Sequence, residues 1–141
     1  MECDVLRIAF SCLNCQSDWD TNMQKNQGYY LRLRYPLMEK ALIEFSAGKV
    51  TQPVRSVIKV DVAAATGFLG LMPALTPEGL GLKAVTFYPS NAQRGIPTHM
   101  ATIFLVDPET GVPLAIMDGR LITEMRTAAV SAAATKLLAS R

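Results

Sequence analysis

The sequence predicts an α+β domain: an N-terminal helix, a mainly antiparallel β-meander and a C-terminal helix. Three observations carry this. Leu37, Met38, Ala41, Leu42 and Phe45 fall on one stripe of a 3.6-residue helix. From Val54 to Val62 the period drops to two, which is strand spacing. The tail from about Thr123 to Ser140 is rich in alanine, the strongest helix former.

Residues 1 to 28 have no sustained periodicity, and residues 1–34 are expected to form a poorly ordered leader. Pro36 suits a first helical position, where its missing N–H costs nothing. Gly48 is placed to end that helix. Val54, Ser56, Ile58, Val60 and Val62 then alternate against Arg55, Val57, Lys59 and Asp61. Phe68 to Leu75 is an apolar run of strand length, and Thr76-Pro77-Glu78-Gly79 is a turn signal. Leu82 to Tyr88 reads as a strand, Pro89 to Pro97 as a polar loop, and Met100 to Val106 as a strand. Asp107 to Gly111 make a hairpin-like turn, Pro113 to Met117 return, and Asp118-Gly119 end the meander.

A chain of 141 residues fits one domain that buries roughly two thirds of its unfolded surface. With 50% apolar and 18% charged residues it is not a disordered segment. A net charge of +2 gives no electrostatic footprint for nucleic acid. No run of 18 apolar residues occurs, so no membrane partner is expected. Glu2 and Asp4 and the lack of a basic start argue against a secretory signal. The three cysteines all precede residue 16, an odd count that suits no disulfide scaffold, and a cytoplasmic location is expected.

Four positions carry possible chemistry. Arg55 sits on a strand against the apolar alternation, where a solvated edge arginine is the plain reading. Lys83 shares a face with Val85 and Phe87, opposite Leu82, Ala84, Thr86 and Tyr88. Neither face is polar, so the strand is expected to be covered on both sides, and the lysine must snorkel, pair or serve a site. Desolvation disfavours its charged form, and a bound carboxylate restores it. His99 is the lone histidine, and it shares a face with Ala101, Ile103 and Leu105. No second histidine or cysteine is near it in sequence, so no metal site is expected. Arg126 heads an apolar stripe with Val130, Ala133 and Leu137 near the start of the last helix. A guanidinium there calls for an anion, supplied by a ligand or by Glu124 or Asp118.

Two motif matches fail on context. Gly79-x-Gly81-x-x-Ala84 fits the dinucleotide fingerprint, but a turn precedes it and a strand follows. Cys12-x-x-Cys15 lacks both the ligand number of a zinc site and the βαβ setting of a redox motif.

Several segments, taken together, resemble one family. They are Gln52-Pro-Val-Arg55, Gly67-Phe-Leu-Gly-Leu-Met-Pro73, Leu82-Lys-Ala-Val-Thr-Phe87, Pro97-Thr-His-Met-Ala-Thr102, Met117-Asp-Gly119, and Arg126-Thr-Ala-Ala-Val-Ser-Ala132 with Ala134-Thr-Lys136. As an ordered set over residues 35–141 they resemble the ornithine cyclodeaminase/mu-crystallin family, nearest to its ketimine-reducing members. The resemblance implies an α+β substrate-binding and dimerisation domain at 35–141, and a homodimer. It also implies a Rossmann domain for NADPH or NADH, whose glycine-rich turn is expected beyond Arg141, along with the family's catalytic acid. By itself the chain is therefore expected to be inactive.

Carried over by position, Arg55, Lys83 and Arg126 correspond to the residues that hold the substrate carboxylate. Lys83 also corresponds to the catalytic residue that assists proton transfer. Thr98, His99 and Arg126 correspond to cofactor contacts. The implied substrate is a small imino or amino acid, and the implied activity is reduction of cyclic ketimines. Ornithine cyclodeamination and alanine dehydrogenation stand as alternatives. A non-catalytic dimerisation or thyroid-hormone-like binding module is a further one.

Overall fold

Five strands pair in chain order, each antiparallel to the one before it. The computed structural model describes residues 27–62 and 65–139, with side chains from Pro36 onward. The elements are α1 (Gln27–Ser46), β1 (Ser56–Val62), β2 (Ala65–Thr76), β3 (Gly79–Phe87), a 3-10 helix (Pro89–Arg94), β4 (His99–Val106), β5 (Pro113–Asp118) and α2 (Arg120–Leu138). The α+β meander read from the sequence is therefore the fold of this chain.

Direct pairing puts Met72, Lys83, Ile103 and Met117 in one row across β2 to β5. Opposed residues of an antiparallel pair point to the same face. That face is the one the helices cover. Its core joins Met38 of α1, Ala74, Ile103 and Leu105 of the sheet, and Ile122 and Ala129 of α2. Two ion pairs hold α1 in place, Lys136 to Glu39 of α1 at 3.8 Å and Lys40 to Glu78 of the β2–β3 turn at 3.2 Å. Gly119 lets α2 start against the sheet. A Cβ there would meet the Ile103 side chain at 3.0 Å and Ala101 Cβ at 3.1 Å.

The turns form as their residues dictate. Thr76 Oγ1 accepts from the N–H groups of Glu78 and Gly79 at 3.2 and 3.1 Å. Asp107 Oδ1 accepts from the N–H groups of Glu109 and Thr110 at 2.8 and 2.9 Å. Gly111 closes that turn at φ 75, a left-handed conformation open to glycine.

Three local expectations are corrected. Pro36 is not at a first helical position; α1 begins at Gln27 and runs through it. An internal proline removes one helical hydrogen bond and costs about 3 kcal/mol. Tyr30 and Leu33 continue the helical spacing of Leu37 upstream of it, and Met38 and Ala41 are buried downstream. Residues 27–34 of the expected leader thus lie within α1, while residues 1–26 lie outside the described residues. The last helix begins at Arg120, not Thr123, because the Asp118 carboxylate accepts from Arg120 N–H at 2.7 Å and turns the chain there. The expectation that β3 is covered on both faces also fails. Leu82, Ala84 and Thr86 are only half-buried, whereas Gly81 and Lys83 on the helix-covered face are buried.

Candidate functional site

Lys83 is 2% exposed, on the helix-covered face. Its neighbours across the ladder are Met72 on one side and Ile103 on the other. The charge is thus held among apolar residues, where an ammonium persists only with compensating partners.

Arg55 lies just before edge strand β1 and is exposed. Its neighbour Ser56 pairs with Leu71. Carried back by one residue, that register brings Arg55 level with Met72, and so into the transverse row of Lys83. Adjacent strands are about 4.8 Å apart, so two strand spacings separate the two backbones by roughly 10 Å. A long arginine side chain spans much of that distance.

Arg126 is the seventh residue of α2 and is half-buried. Its Nε is buried with no hydrogen-bond partner. Neither internal acid considered from the sequence serves it. Glu124 instead takes Arg120 Nε at 3.2 Å, and the Asp118 carboxylate caps the Arg120 N–H. Two further buried oxygens also lack partners, Thr123 Oγ1 on α2 and Ser90 Oγ on the 3-10 helix. Thr123, one turn before Arg126, was not singled out from the sequence. Its spacing of three residues from Arg126 was the available signal.

Thr98 and His99 are half-buried at the start of β4. The Thr98 carbonyl accepts from Tyr88 N–H at 2.8 Å. His99 pairs with Phe87 on the same face as Lys83. It is four residues from Ile103, Lys83's partner, about 13 Å along the strand. The site therefore has two ends. Arg55 and Lys83 share one row, while Thr98 and His99 stand at the strand end. Gly119 N–H, at the start of α2, donates to Ala101 O at 2.8 Å and ties the Arg126 helix to that end. An open cleft of about 560 Å³ lies there, lined among others by Pro97, Ala101, Met117, Asp118 and Arg120.

The Gly79-x-Gly81-x-x-Ala84 match lies wholly within β3. It opens no helix and presents no phosphate-binding turn. The Cys12–Cys15 pair lies outside the described residues. Among the described residues no group of three or more His, Cys, Asp or Glu side chains could hold a metal ion. No described helix is long and apolar enough to cross a membrane.

The sequence profile of the Ornithine cyclodeaminase/mu-crystallin family matches residues 21–141. The chain belongs to this family. The match starts earlier than the residue-35 boundary read from motifs, in keeping with the earlier start of α1. Ketimine reductase mu-crystallin of Mus musculus is 50% identical over 111 residues, covering 75% of this chain and 35% of that protein. Alanine dehydrogenase of Archaeoglobus fulgidus is 38% identical over 104 residues, covering 74% of this chain and 31% of the relative. Among solved structures, Delta(1)-pyrroline-2-carboxylate reductase of Thermococcus litoralis, in complex with NADH and L-proline, superposes with a TM-score of 0.71 at 38% identity. That superposition covers 85% of this chain and 36% of the solved one. The chain thus spans about a third of the length of the relatives it matches.

Proposed function

We propose that this chain supplies the carboxylate-binding part of an NAD(P)H-dependent reductase of small cyclic imino acids. The observation that carries this reading is Arg126 Nε, buried without an acceptor on the helix that packs over the face of Lys83. A buried N–H donor is normally paired, and a carboxylate is the acceptor a guanidinium grips best. Two kinds of relative are named for substrates that carry a carboxylate, alanine dehydrogenase and Delta(1)-pyrroline-2-carboxylate reductase, which supports a carboxylate as that acceptor.

Each residue then has a role. Arg126 fixes one carboxylate oxygen from α2. Lys83 approaches from the sheet, neutralises the carboxylate and moves a proton at Nζ as the C=N bond becomes C–N. Arg55 closes the open edge and adds a third positive charge. Arg126, Thr98 and His99 at the strand end contact NADPH or NADH. When bound, the nicotinamide supplies the hydride. The buried, unpaired Nε fits a site that takes an anionic substrate beside such a cofactor. The domain at residues 35–141 is then the substrate-binding and dimerisation domain.

A second reading concerns assembly, and it rests on the uncovered side of the sheet. Leu69, Leu71, Leu82 and Phe104 are half-buried there, and Ile58 and Ile116 are exposed. An apolar face of this kind suits a partner. A second copy of the chain is the partner proposed, supported by an archaeal alanine dehydrogenase described as a dimer, one chain of which superposes with a TM-score of 0.67 at 36% identity, covering 75% of this chain and 32% of the solved one.

Titration of the chain with L-proline tests the main reading. Binding that Arg126→Met abolishes, with α2 still folded by circular dichroism, supports it. Unchanged affinity in Arg126→Met overturns it.

A further inference from the structure

We infer that Thr123 donates its hydroxyl to the substrate carboxylate beside Arg126, making a two-donor clamp on one turn of α2. The inference rests on the proposed carboxylate site and deepens it.

Helix α2 carries four hydroxyl residues at four-residue steps, Thr123, Thr127, Ser131 and Thr135. Three behave alike. Thr127 donates to Thr123 O at 2.8 Å, Ser131 to Thr127 O at 3.1 Å, and Thr135 to Ser131 O at 2.9 Å. This back-bond to the carbonyl four residues earlier is the default for a helical hydroxyl. All three residues are exposed, whereas Thr123 is half-buried. Thr123 Oγ1 is itself buried, and it makes no such bond. The equivalent carbonyl, Gly119 O, receives only the Thr123 backbone N–H, at 2.9 Å. A carbonyl has room for two donors, so the hydroxyl departs from its default with an acceptor at hand.

Arg126 follows Thr123 by three residues, so the two are neighbours on the helix surface. Helical side chains lean toward the N-terminus, which lays the arginine over the turn that holds Thr123. Thr123 Oγ1 and Arg126 Nε are both buried and both unpaired, and they do not bond each other. Nearby carboxylates are engaged elsewhere, Asp118 at the Arg120 N–H and Glu124 at Arg120 Nε. A carboxylate accepts at both oxygens and donates at neither. One such group satisfies both donors, with Nε–H to one oxygen and the hydroxyl to the other. The cation supplies charge, and the hydroxyl fixes the carboxylate plane.

The test measures the affinity of the full chain for L-proline, L-prolinamide and inorganic phosphate by ¹⁵N chemical-shift titration. Thr123→Val removes the hydroxyl at constant shape, Thr123→Ala removes it by truncation, and Thr123→Ser keeps it. The expected result is an affinity for L-proline about tenfold lower in Thr123→Val and Thr123→Ala, the size of one hydrogen bond to a charged group. Thr123→Ser is expected to bind as the unsubstituted chain does. If the unsubstituted chain favours L-proline over L-prolinamide but both hydroxyl-free variants bind L-proline equally well, the Thr123 assignment is wrong and the Arg126 site stands. If they lose phosphate affinity alone, the hydroxyl serves another anion and the assignment is again wrong. If the unsubstituted chain does not favour L-proline over L-prolinamide, the carboxylate site falls, and the clamp with it.

Discussion

Lys83 lies directly opposite Ile103 across the β3–β4 ladder, and both side chains are buried under the two helices. A charged group in the middle of an apolar row costs stability. Lys83→Met removes that charge and is expected to abolish binding of L-proline while the domain stays folded. Urea unfolding and titration on the same sample separate the two effects. A large loss of stability with binding retained would mark Lys83 as structural.

Gly67 lies under the ring of Tyr88, where an added Cβ would stand 2.7 Å from two ring carbons. The Gly67→Ala substitution is expected to destabilise the domain by about 1–3 kcal/mol, the usual cost of overpacking. A Tyr88→Ala change in the same chain should recover part of that loss. A double-mutant cycle of denaturant unfolding measures the coupling.

Asp107 gives the fold a defined acid sensitivity. The N–H groups of Thr110 and then Glu109, with a smaller part from the Thr110 hydroxyl, hold its carboxyl below the usual carboxylate value. The folded state therefore binds this proton less readily than the unfolded chain. The resulting stability is fully present above the ordinary carboxylate pKa of about 4 and is lost as pH falls through the lower folded value. In Asp107→Asn that part of the pH dependence should vanish. Thermal unfolding midpoints from pH 7 to pH 2 are the check, and an unchanged profile would remove Asp107 as its source.

Ile116 is 74% exposed, on the sheet face away from the helices. Ile116→Glu should leave the fold intact while converting the proposed dimer to monomer. Sedimentation velocity reads this directly. A variant that sediments like the original chain would place the interface elsewhere.

Much of this architecture was legible in the sequence because local chemistry matches the fold. Alternation from Val54 to Val62 marked β1, and the Thr76–Gly79 and Asp107–Gly111 turns marked the hairpins that set the sheet order. The start of α1 was hidden because Pro36 suits a first turn better than a helix interior. The start of α2 was hidden because the acceptor for its first N–H comes from Asp118, the last residue of β5, one residue before Gly119. For the site, pattern could flag Lys83 as a charge on an apolar face. It could not show that Asp118 and Glu124 turn to Arg120 and leave Arg126 Nε without an acceptor, because that depends on side-chain direction. Thr123 was silent for the same reason, since four evenly spaced hydroxyls look alike until one fails to bond back to its helix.

On the proposed reading, Lys83 of the sheet and Arg126 of α2 together bind a carboxylate. The most direct measurement is the affinity of the intact chain for L-proline relative to L-prolinamide, which differ only in replacing the carboxylate by an amide. Saturable binding of L-proline is expected, with shifts at Lys83 and along the first two turns of α2, and at least tenfold weaker binding of the amide. Equal affinity for the two, or shifts confined to other parts of the sheet, would contradict it.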